Sequence, residues 1–558
     1  MTSDPHAFLT IDHGAATASI ALIGRVAGTW RLIGTLVLPA GAAMDAAIDL
    51  LLSRVRVADA ELASALGLAD IERDALPRFE VRSRRPRRLA VVAGSERSLV
   101  RLLATAGRSG WRANGASAET TDPLAMSRLL LDHHIDAILV GAADPPRADE
   151  RSAIRELAAL VAAVAVRRPD VPIILSGAMS EALDEFGDVS ARTGPIVLAP
   201  AASLEGPSAN GRRSLRSLPT PGPGPGTTAE GSPDPLSELL LEVALPADDP
   251  RRAIGPATQA LADVLHRRVE TIILGHDAGV RAAAEPSVGG VTREVRLAVV
   301  PAAAVAPDEP DDAIVDGVLL WSTVPSDRHR LRDRLRELRI APWADAAGDG
   351  AALRMAAARA ALVRLVAATS DFDHAPPDLV VCGGGVWTAV PAPTVALAHV
   401  DVLRRTGASQ YALDHARLLG TLGAIPDAIE RNAVMSDLVD DLLAPLGSVV
   451  IPSGLRSGRS AGSVLVHVGE GISELDLVPG GLELVDLPPG ETAVAEFRFR
   501  DRVKLGARGR HFAVDVAGGL GGLLVDLRDV PLRLPDRADR RRDLLAAWQA
   551  ALWQGSDQ

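Results

Sequence analysis

Lysine is almost absent from this 558-residue chain, in which Lys504 is the only one. A Walker-type phosphate loop, a protein-kinase ATP site and a Schiff-base enzyme each depend on a positioned lysine. Lys504 stands in RDRVKLGARGR, which has none of the sequence context that these sites require. Phosphate chemistry in this chain would therefore use backbone amides, a metal ion held by carboxylates, or arginine.

Cysteine and aromatic residues are also scarce. Cys382 is the only cysteine, so intramolecular disulfides are excluded and a cysteine-based zinc site is not expected. The adjacent His133 and His134 are interpreted as part of a helix-to-strand junction rather than as metal ligands. One tyrosine and seven phenylalanines leave little for base stacking, and the net charge of −12 comes without a sustained basic stripe. We therefore expect no nucleic-acid partner.

Long hydrophobic runs are missing as well. The Ala-rich run LAALVAAVAV (157–166) is typical of a packed helix, and no run reaches the roughly 20 residues that a membrane span needs. The N-terminal segment MTSDPHAFLTID lacks a basic region followed by an apolar core of signal-peptide length. These features predict a cytoplasmic protein with no membrane partner.

The patterns that are present predict several domains. Strand patterns alternate with helical patterns on both sides of a stretch rich in Pro, Gly and Ser, which indicates two α/β units joined by a flexible linker. Short, evenly spaced strands with Gly and Pro turns then indicate a small all-β domain. The predicted units are a first lobe with an α/β insertion at 1–204, a linker at 205–234, a second lobe at 235–446, an all-β domain at 447–535 and a C-terminal helix at 536–558.

Three strand-to-turn segments carry residues suited to phosphate binding. IDHGAATAS (11–19) and GHDAGVRAA (275–283) each have a glycine two residues after an aspartate that follows an apolar strand, and the third segment is CGGGVW (382–387). In a two-lobed site without a lysine loop, two such hairpins hold the phosphates from opposite lobes through backbone amides. Their aspartates can hold Mg²⁺ through water. Glycine in the third turn would let adenosine lie against the backbone.

The order of these turns resembles the actin, hexokinase and Hsp70 type of ATPase, and more closely the glutamate mutase L family, which is associated with cobalamin-dependent mutases. The segments IDAILVGAADPPRADERSAIRELAALV (135–161) and DLVVCGGGVWTAVPAPTVALAHV (378–400) are similar to the central and closing segments of that family. The resemblance covers about Phe8 to Ile425. It implies a two-lobed α/β fold of the actin-like ATPase (ribonuclease H-like) type, here extended by a small C-terminal all-β domain and a terminal helix.

The same resemblance implies an adenine nucleotide, ATP or ADP, together with Mg²⁺. It gives Asp12 and Asp277 a catalytic role and the role of Mg²⁺ ligands. The residues that it brings to the nucleotide are Gly14, Thr17, Ser19 and Gly279 near the phosphates, and Gly383, Gly384 and Gly385 under the adenosine.

Both aspartate turns depart from the usual pattern of the family. The first turn has alanine at three positions between Gly14 and Ser19 where hydroxyls are usual, and Ser19 stands at the position of the family's lysine. The second turn has Val280 and Arg281 in place of a pair of small residues. Such changes remove contacts that positioning-based phosphoryl transfer needs, so whether ATP hydrolysis survives stays open.

Two functions stay open on this basis. The first is a nucleotide-binding accessory or chaperone-like protein that assists a cobalamin-dependent mutase subunit. The second is a non-catalytic scaffold of the same fold that binds protein partners through the all-β domain. A sugar or carboxylate kinase is disfavoured because no convincing acceptor-site aspartate is found.

Overall fold

The structure is a computed structural model that describes most of the chain. The described residues are 6–69, 73–142, 150–180, 192–202, 234–289, 295–341, 348–372, 376–387, 390–456, 459–469 and 471–552. The linker predicted at 205–234 lies outside these ranges except for Asp234. Asp234 caps a helix that begins at Pro235, and its side chain accepts a hydrogen bond from the Leu236 amide.

The first lobe is built on a small mixed sheet. Its elements are β1 (Ala7–His13), β2 (Thr17–Val26), β3 (Thr29–Pro39), α1 (Met44–Ala58), α2 (Ala60–Ala65) and β4 (Arg78–Arg82). The strand order is β3-β2-β1-β4, in which β1, β2 and β3 are antiparallel neighbours and β4 is parallel to β1. Helix α1 buries Ile48 and Leu51 against Leu9 and Ile20 on one face of this sheet.

A second sheet follows in the same lobe and is entirely parallel. Its elements are β5 (Arg88–Ala93), α3 (Glu96–Gly107), β6 (Arg112–Ser117), α4 (Pro123–Leu130), β7 (Ala137–Gly141), α5 (Glu150–Ala165), β8 (Ile173–Ser176) and β9 (Ile196–Ala199). The strand order is β6-β5-β7-β8-β9. The helices between its strands allow the crossovers that parallel pairing requires, as the α/β alternation predicts.

The second lobe repeats the strand pattern of the first. Its strands up to residue 451 are β10 (Val269–Leu274), β11 (Gly279–Ala284), β12 (Arg296–Val300), β13 (Leu379–Gly383), β14 (Gly407–Asp414) and β15 (Leu443–Ile451). Its helices are α6 (Pro235–Ala244), α7 (Pro250–Leu265), α8 (Asp312–Trp321), α9 (Arg328–Ile340), α10 (Gly348–Ala368), α11 (Ala392–Val402), α12 (Leu419–Gly423) and α13 (Ala428–Leu442).

The C-terminal segment contributes strands to two different sheets. Its elements are β16 (Gly462–Val468), β17 (Gly471–Leu477), β18 (Leu482–Val485), β19 (Thr492–Leu505), β20 (Ala507–Ala517), β21 (Leu523–Asp526) and α14 (Ala538–Ala551). Strands β17-β16-β19-β20 form a separate antiparallel sheet, whereas β21 and β18 extend the second lobe into an eight-stranded sheet, β12-β11-β10-β13-β14-β15-β21-β18. The boundary predicted between residues 446 and 447 therefore falls inside β15.

The two lobes share a strand order that defines the fold. In β3-β2-β1-β4 and in β12-β11-β10-β13, three antiparallel strands are followed by a fourth that is parallel to the first. This repeated arrangement is the ribonuclease H-like core of actin-like ATPases, so the predicted fold class is confirmed. Phe8 of the first lobe and Val280 of the second belong to one buried apolar cluster, which ties the lobes together. No helix in the described ranges is long and apolar enough to cross a membrane.

Candidate functional site

The three predicted turns line one cavity of about 110 Å³ between the lobes. The first turn contributes Asp12, Gly14 and Thr17, the second contributes 275–278, and the third contributes Gly384 and Gly385. Strands β10, β13 and β14 are parallel neighbours, so the turns that follow them meet at one edge of the sheet. The turn after β1 faces them from the other lobe. Residues that are distant in the sequence thus surround one space.

Three further predicted residues do not line this cavity. Ser19 is buried within β2, where it pairs with Asp12 of β1. Gly279 begins β11, and a Cβ added there would lie 2.9 Å from the Cβ of Ala303. Gly383 ends β13, and a Cβ there would lie 2.4 Å from Cδ1 of Ile273. These two glycines permit close packing of the sheet behind the turns.

The third turn needs glycine for two separate reasons. Gly384 has φ +105°, and a Cβ there would lie 2.1 Å from the carbonyl oxygen of Leu274. A Cβ at Gly385 would instead lie 3.0 Å from Oγ1 of Thr17 and 3.1 Å from Nη2 of Arg417, both of which line the cavity. Gly384 thus allows the backbone to turn, and Gly385 keeps open the space where the first lobe meets the second.

Asp12 is a carboxylate in the wall of the cavity. Its residue is partly buried, and its Oδ1 atom is buried without a hydrogen-bond partner among the described residues. Burial raises the pKa of Asp12 to about 7; nearby Arg417 opposes the rise, and the charges of Asp414 and Asp249 add to it. At neutral pH the carboxyl group therefore lies near its titration midpoint.

Asp277 has a different environment because an arginine neutralises it. Arg339 of α9 holds Oδ1 of Asp277 at 2.7 Å through one nitrogen and Oδ1 of Asp308 at 2.6 Å through another. Asp308 also binds two arginines of the first lobe, Arg85 at 2.6 Å and Arg112 at 2.7 Å. Burial would raise the pKa of Asp308, but the hydrogen bonds from these two arginines bring it to about 2. The second turn is thus part of an ion-pair network that joins the lobes.

Arg417 is a site residue that the sequence analysis did not identify. It lies between β14 and α12, and its buried guanidinium donates a hydrogen bond from Nη1 to Oγ1 of Thr17 in the opposite lobe. Its backbone has φ +58°, a left-handed conformation that is uncommon for a residue other than glycine. The sequence did contain a signal for Arg417, which lies three residues after the strand β14. In a chain with only one lysine, an arginine just after a strand is a candidate phosphate ligand.

Asp414 fixes the segment that presents Arg417. Its two carboxylate oxygens accept hydrogen bonds from the amides of Leu418 at 2.9 Å and Leu419 at 3.2 Å. Burial raises the pKa of Asp414 to about 6, and the two amide hydrogen bonds oppose the rise. This cap connects the end of β14 to the start of α12, so the side chain between them is held at the cavity.

The two aspartates predicted to bind Mg²⁺ therefore have different surroundings. Both aspartates have a buried Oδ1 that accepts no hydrogen bond among the described residues, but Arg339 balances the charge of Asp277 from 2.7 Å. His276, the residue before Asp277, is also buried. Burial lowers the pKa of His276 to about 4, so its ring is neutral at pH 7. The described arrangement does not fit an ion held by both carboxylates, because Arg339 occupies Asp277.

The histidine pair at the surface lies between α4 and β7, in the helix-to-strand junction. Asp132, His133 and His134 have potential ligand atoms within 4.8 Å of one another. Oδ1 of Asp132 accepts a hydrogen bond from the amide of His134 at 2.9 Å, and the carbonyl oxygen of Asp132 accepts one from Arg168 at 2.7 Å. These contacts account for the arrangement as the end of a turn.

Comparison with known proteins gives distant structural likenesses only. No protein-family model and no curated protein sequence matches the chain. It is similar to the activator of the 2-hydroxyisocaproyl-CoA dehydratase from Clostridium difficile with bound ADPNP, with 8% identity over 76% of this chain and 95% of that one and a TM-score of 0.27. It is also similar to the (R)-2-hydroxyglutaryl-CoA dehydratase component A of Acidaminococcus fermentans, with 7% identity over 76% of this chain and 98% of that one and a TM-score of 0.25. Likenesses this weak do not assign a function, and the fold assignment rests on the strand order.

Proposed function

We propose that the chain binds an adenine nucleotide, ATP or ADP, in the cavity between its lobes and acts as an accessory or chaperone-like protein. The observation that carries this proposal is the convergence of the turns at Asp12, Asp277 and Gly384 on one cavity. The turns at Asp12 and Asp277 follow β1 and β10, which occupy equivalent positions in two related sheets. A buried space with glycine-bearing turns on both sides is suited to an extended, phosphate-bearing ligand.

Each turn has a distinct role in this proposal. The backbone between Gly14 and Thr17 would supply amides to the phosphates, since consecutive amides in a turn form an anion-binding concavity. Gly384 and Gly385 would let the nucleoside lie against the backbone because no side chain stands there. If Mg²⁺ accompanies the nucleotide, it would neutralise phosphate charge, and the buried Oδ1 of Asp12 would be its ligand, since Oδ1 of Asp277 is paired with Arg339.

The partner in this proposal comes from the resemblance to the glutamate mutase L family. That resemblance favours a cobalamin-dependent mutase subunit as the protein on which the chain acts. Both lobes contact the cavity, so nucleotide binding would change the arrangement of the lobes. The partner would then recognise the nucleotide-bound arrangement. Nucleotide-dependent co-purification of the chain with a cobalamin-dependent mutase subunit would support this part of the proposal.

A non-catalytic scaffold is the second candidate, and the Arg339–Asp277 ion pair favours it. That pair fills the position of a metal ligand with a purely structural contact. In this case the separate sheet β17-β16-β19-β20 would bind a protein partner. Its strand β17 lies at the sheet edge and exposes Ile472.

Thermal melting in the presence of nucleotide distinguishes these candidates. Ligand that binds only the native state stabilises it by about 2.7 kcal/mol at a concentration 100 times its Kd. We expect ATP and ADP to raise the melting temperature of the wild-type chain. Absence of any shift at millimolar nucleotide, with and without Mg²⁺, would contradict nucleotide binding and leave the scaffold.

A matched pair of glycine variants locates the binding site. Gly385→Ala puts a methyl group within about 3 Å of Thr17 and Arg417 and should reduce the shift caused by ADP. Gly107→Ala is the control, because a Cβ at Gly107, the last residue of α3, meets no atom within 4 Å. Equal ADP shifts in the two variants would show that the nucleotide binds elsewhere.

A further inference from the structure

We propose that the chain binds its protein partner on the hairpin formed by the end of β19 and the start of β20 (residues 498–511, the basic hairpin), and that this hairpin takes an acidic, extended segment of the partner. The inference rests on the part of the proposed function that gives the chain a protein partner, and it is independent of nucleotide binding. It is carried by exposed basic side chains, by their pairing across the strands, and by the backbone contacts that hold the hairpin.

The basic hairpin concentrates positive charge on an otherwise acidic chain. Every second residue of β19 from Arg498 to Lys504 is basic and exposed, and β20 adds exposed Arg508 and Arg510. The hairpin contains six Arg and Lys residues and one acidic residue, Asp501, whereas the whole chain has a net charge of −12. This part of the surface therefore attracts anions although the protein as a whole repels them.

The arginine-rich helix α9 shows how basic side chains are paired elsewhere in the chain. Each of its six arginines lies within 4 Å of at least one carboxylate oxygen, as Arg332 does at 2.6 Å from Asp312. Five side chains of the basic hairpin have no such ion pair with any described residue: Arg500, Arg502, Lys504, Arg508 and Arg510. The charge of α9 is thus neutralised within the protein, and that of the hairpin is not.

The strand pairing brings these charges close together. Lys504 lies directly opposite Arg508, and such a pair points to the same face of the sheet. Like charges in this position destabilise a sheet. Within 498–503 the register of β19 against β20 shifts, and Arg500 and Arg502 lie in this irregular part. An unfavourable arrangement that a counter-charge would relieve is typical of a binding site.

Backbone hydrogen bonds hold the basic hairpin against the rest of the protein. Lys504 and Ser453 exchange two N–H···O bonds of 2.9 Å, and the Arg500 amide donates to the carbonyl oxygen of Ala461 at 2.8 Å. On the inner face of β19, Val503 is buried in an apolar cluster. The backbone that carries the basic side chains is therefore ordered before a partner arrives, which lowers the cost of association.

The surroundings of the hairpin favour an acidic peptide segment over a broad polyanion. The same face of the sheet carries exposed Glu474 and Asp476 on β17, which duplex DNA or an anionic membrane would also approach. Residues 498–511, all of them described, expose no large apolar side chain that would enter a membrane. The row from Arg498 to Lys504 spans roughly 20 Å, which matches about six residues of an extended peptide. Guanidinium groups also match carboxylates geometrically.

Fluorescence anisotropy with a fluorescein-labelled peptide of ten glutamates tests the inference on the full chain. We expect the peptide to bind the wild-type chain and to bind more weakly as salt is added. Arg502→Glu combined with Arg508→Glu should weaken binding at least about tenfold. The matched control is Arg334→Glu combined with Arg336→Glu on α9, which changes the net charge equally and should weaken binding less than about threefold.

Four results would overturn the inference. They are absence of peptide binding to the wild-type chain, an equal loss in the two double variants, tighter binding of a duplex DNA than of the peptide at the same salt, and tighter binding of phosphatidylserine vesicles. If the hairpin variant does not fold, Arg502→Gln combined with Arg508→Gln replaces it, with an expected loss of about three- to tenfold.

Melting curves with and without ADP on the same proteins separate this inference from nucleotide binding. The hairpin variant should keep the melting temperature and the ADP shift of the wild-type chain, because its substitutions lie outside the cavity. An ADP shift without peptide binding refutes the inference and leaves nucleotide binding intact. Peptide binding that depends on the hairpin, without any ADP shift, supports the inference and refutes nucleotide binding.

Discussion

The turn after β1 and the turn after β10 have equivalent positions in their sheets but opposite electrostatic surroundings. Asp12 has a buried oxygen without a hydrogen-bond partner in the described ranges, and its pKa is raised to about 7. Asp277 contacts Arg339 at 2.7 Å, and that arginine continues to Asp308. Oδ1 of Asp277 likewise accepts no hydrogen bond among the described residues, so the two aspartates differ in the ion pair with Arg339 and in the raised pKa of Asp12.

The two aspartates of this one cavity therefore have different roles. The surroundings of Asp12 suit ligand binding, and those of Asp277 suit structural support. A buried carboxylate whose pKa is raised costs stability when it ionises in the absence of ligand, and such a cost is typical of functional sites. The ion pair of Asp277 instead belongs to a network that bridges the lobes through Asp308 and helps to fix their relative position. The first turn has thus kept the properties of a binding element, and the second has acquired those of a structural link.

The largest expected effect comes from breaking the link at the second turn. Arg339→Ala leaves the largely buried carboxylate of Asp277 unpaired and should lower the free energy of unfolding by roughly 2–3 kcal/mol. Urea denaturation at pH 7 measures this loss. Arg336→Ala is the control on the same helix, since its ion pair with Asp333 is exposed and is worth about 0–1 kcal/mol.

The double variant tests whether the loss arises at Asp277. Combining Arg339→Ala with Asp277→Asn removes the unpaired charge and should recover a large part of the lost stability. A double variant that is as unstable as the sum of the two single variants would show that Arg339 acts through Asp308 or its contact with the Ala306 carbonyl alone.

A smaller effect of opposite sign is expected at the first turn. The pKa of Asp12 is about 7 in the folded chain and has an ordinary value of 3.8, so ionisation destabilises the native state progressively as the pH rises between these values. Asp12→Asn should therefore raise the free energy of unfolding above pH 7, by roughly 1–2 kcal/mol because Asp12 is only partly buried. The gain should shrink as the pH falls towards 4.

Melting curves of both asparagine variants at pH 5 and pH 8, in EDTA and without nucleotide, check this contrast. Asp277→Asn should lower the melting temperature at both pH values, because it leaves Arg339 with one carboxylate fewer. If Asp12→Asn lowers the melting temperature at pH 8 as much as Asp277→Asn does, the two turns are not electrostatically different.

The turns were predictable from the sequence because their signals are local. An apolar strand that ends at an aspartate, with glycine two residues later, marks Asp12 and Asp277 without knowledge of the fold. The glycines at 383–385 mark the third turn in the same way. The repeated alternation of strands and helices was likewise sufficient to predict two α/β lobes.

The contacts that distinguish the turns were not predictable, because they join distant segments. Arg339 lies 62 positions after Asp277, on an Arg-rich helix where nothing in the sequence singles it out. Arg417 reaches Thr17 across 400 positions. The apolar runs in β15 and β21 indicate strands but do not tell which sheet they join, so the sequence did not predict that both belong to the eight-stranded sheet.

The smallest expected effect tests how the two lobes are joined at Asp308. Arg85 is exposed over 67% of its side chain, so Arg85→Ala should cost about 0–1 kcal/mol at pH 7 and less at high salt. The pKa of Asp308 is held at about 2, below its ordinary 3.8, so the stabilisation is complete above pH 4 and is lost as the pH falls towards 2. The difference between wild type and variant in urea denaturation should therefore narrow from pH 5 to pH 3. A difference that stays constant over this range would show that Arg85 stabilises the lobes by packing, and that the network around Asp277 depends on Arg112 and Arg339 instead.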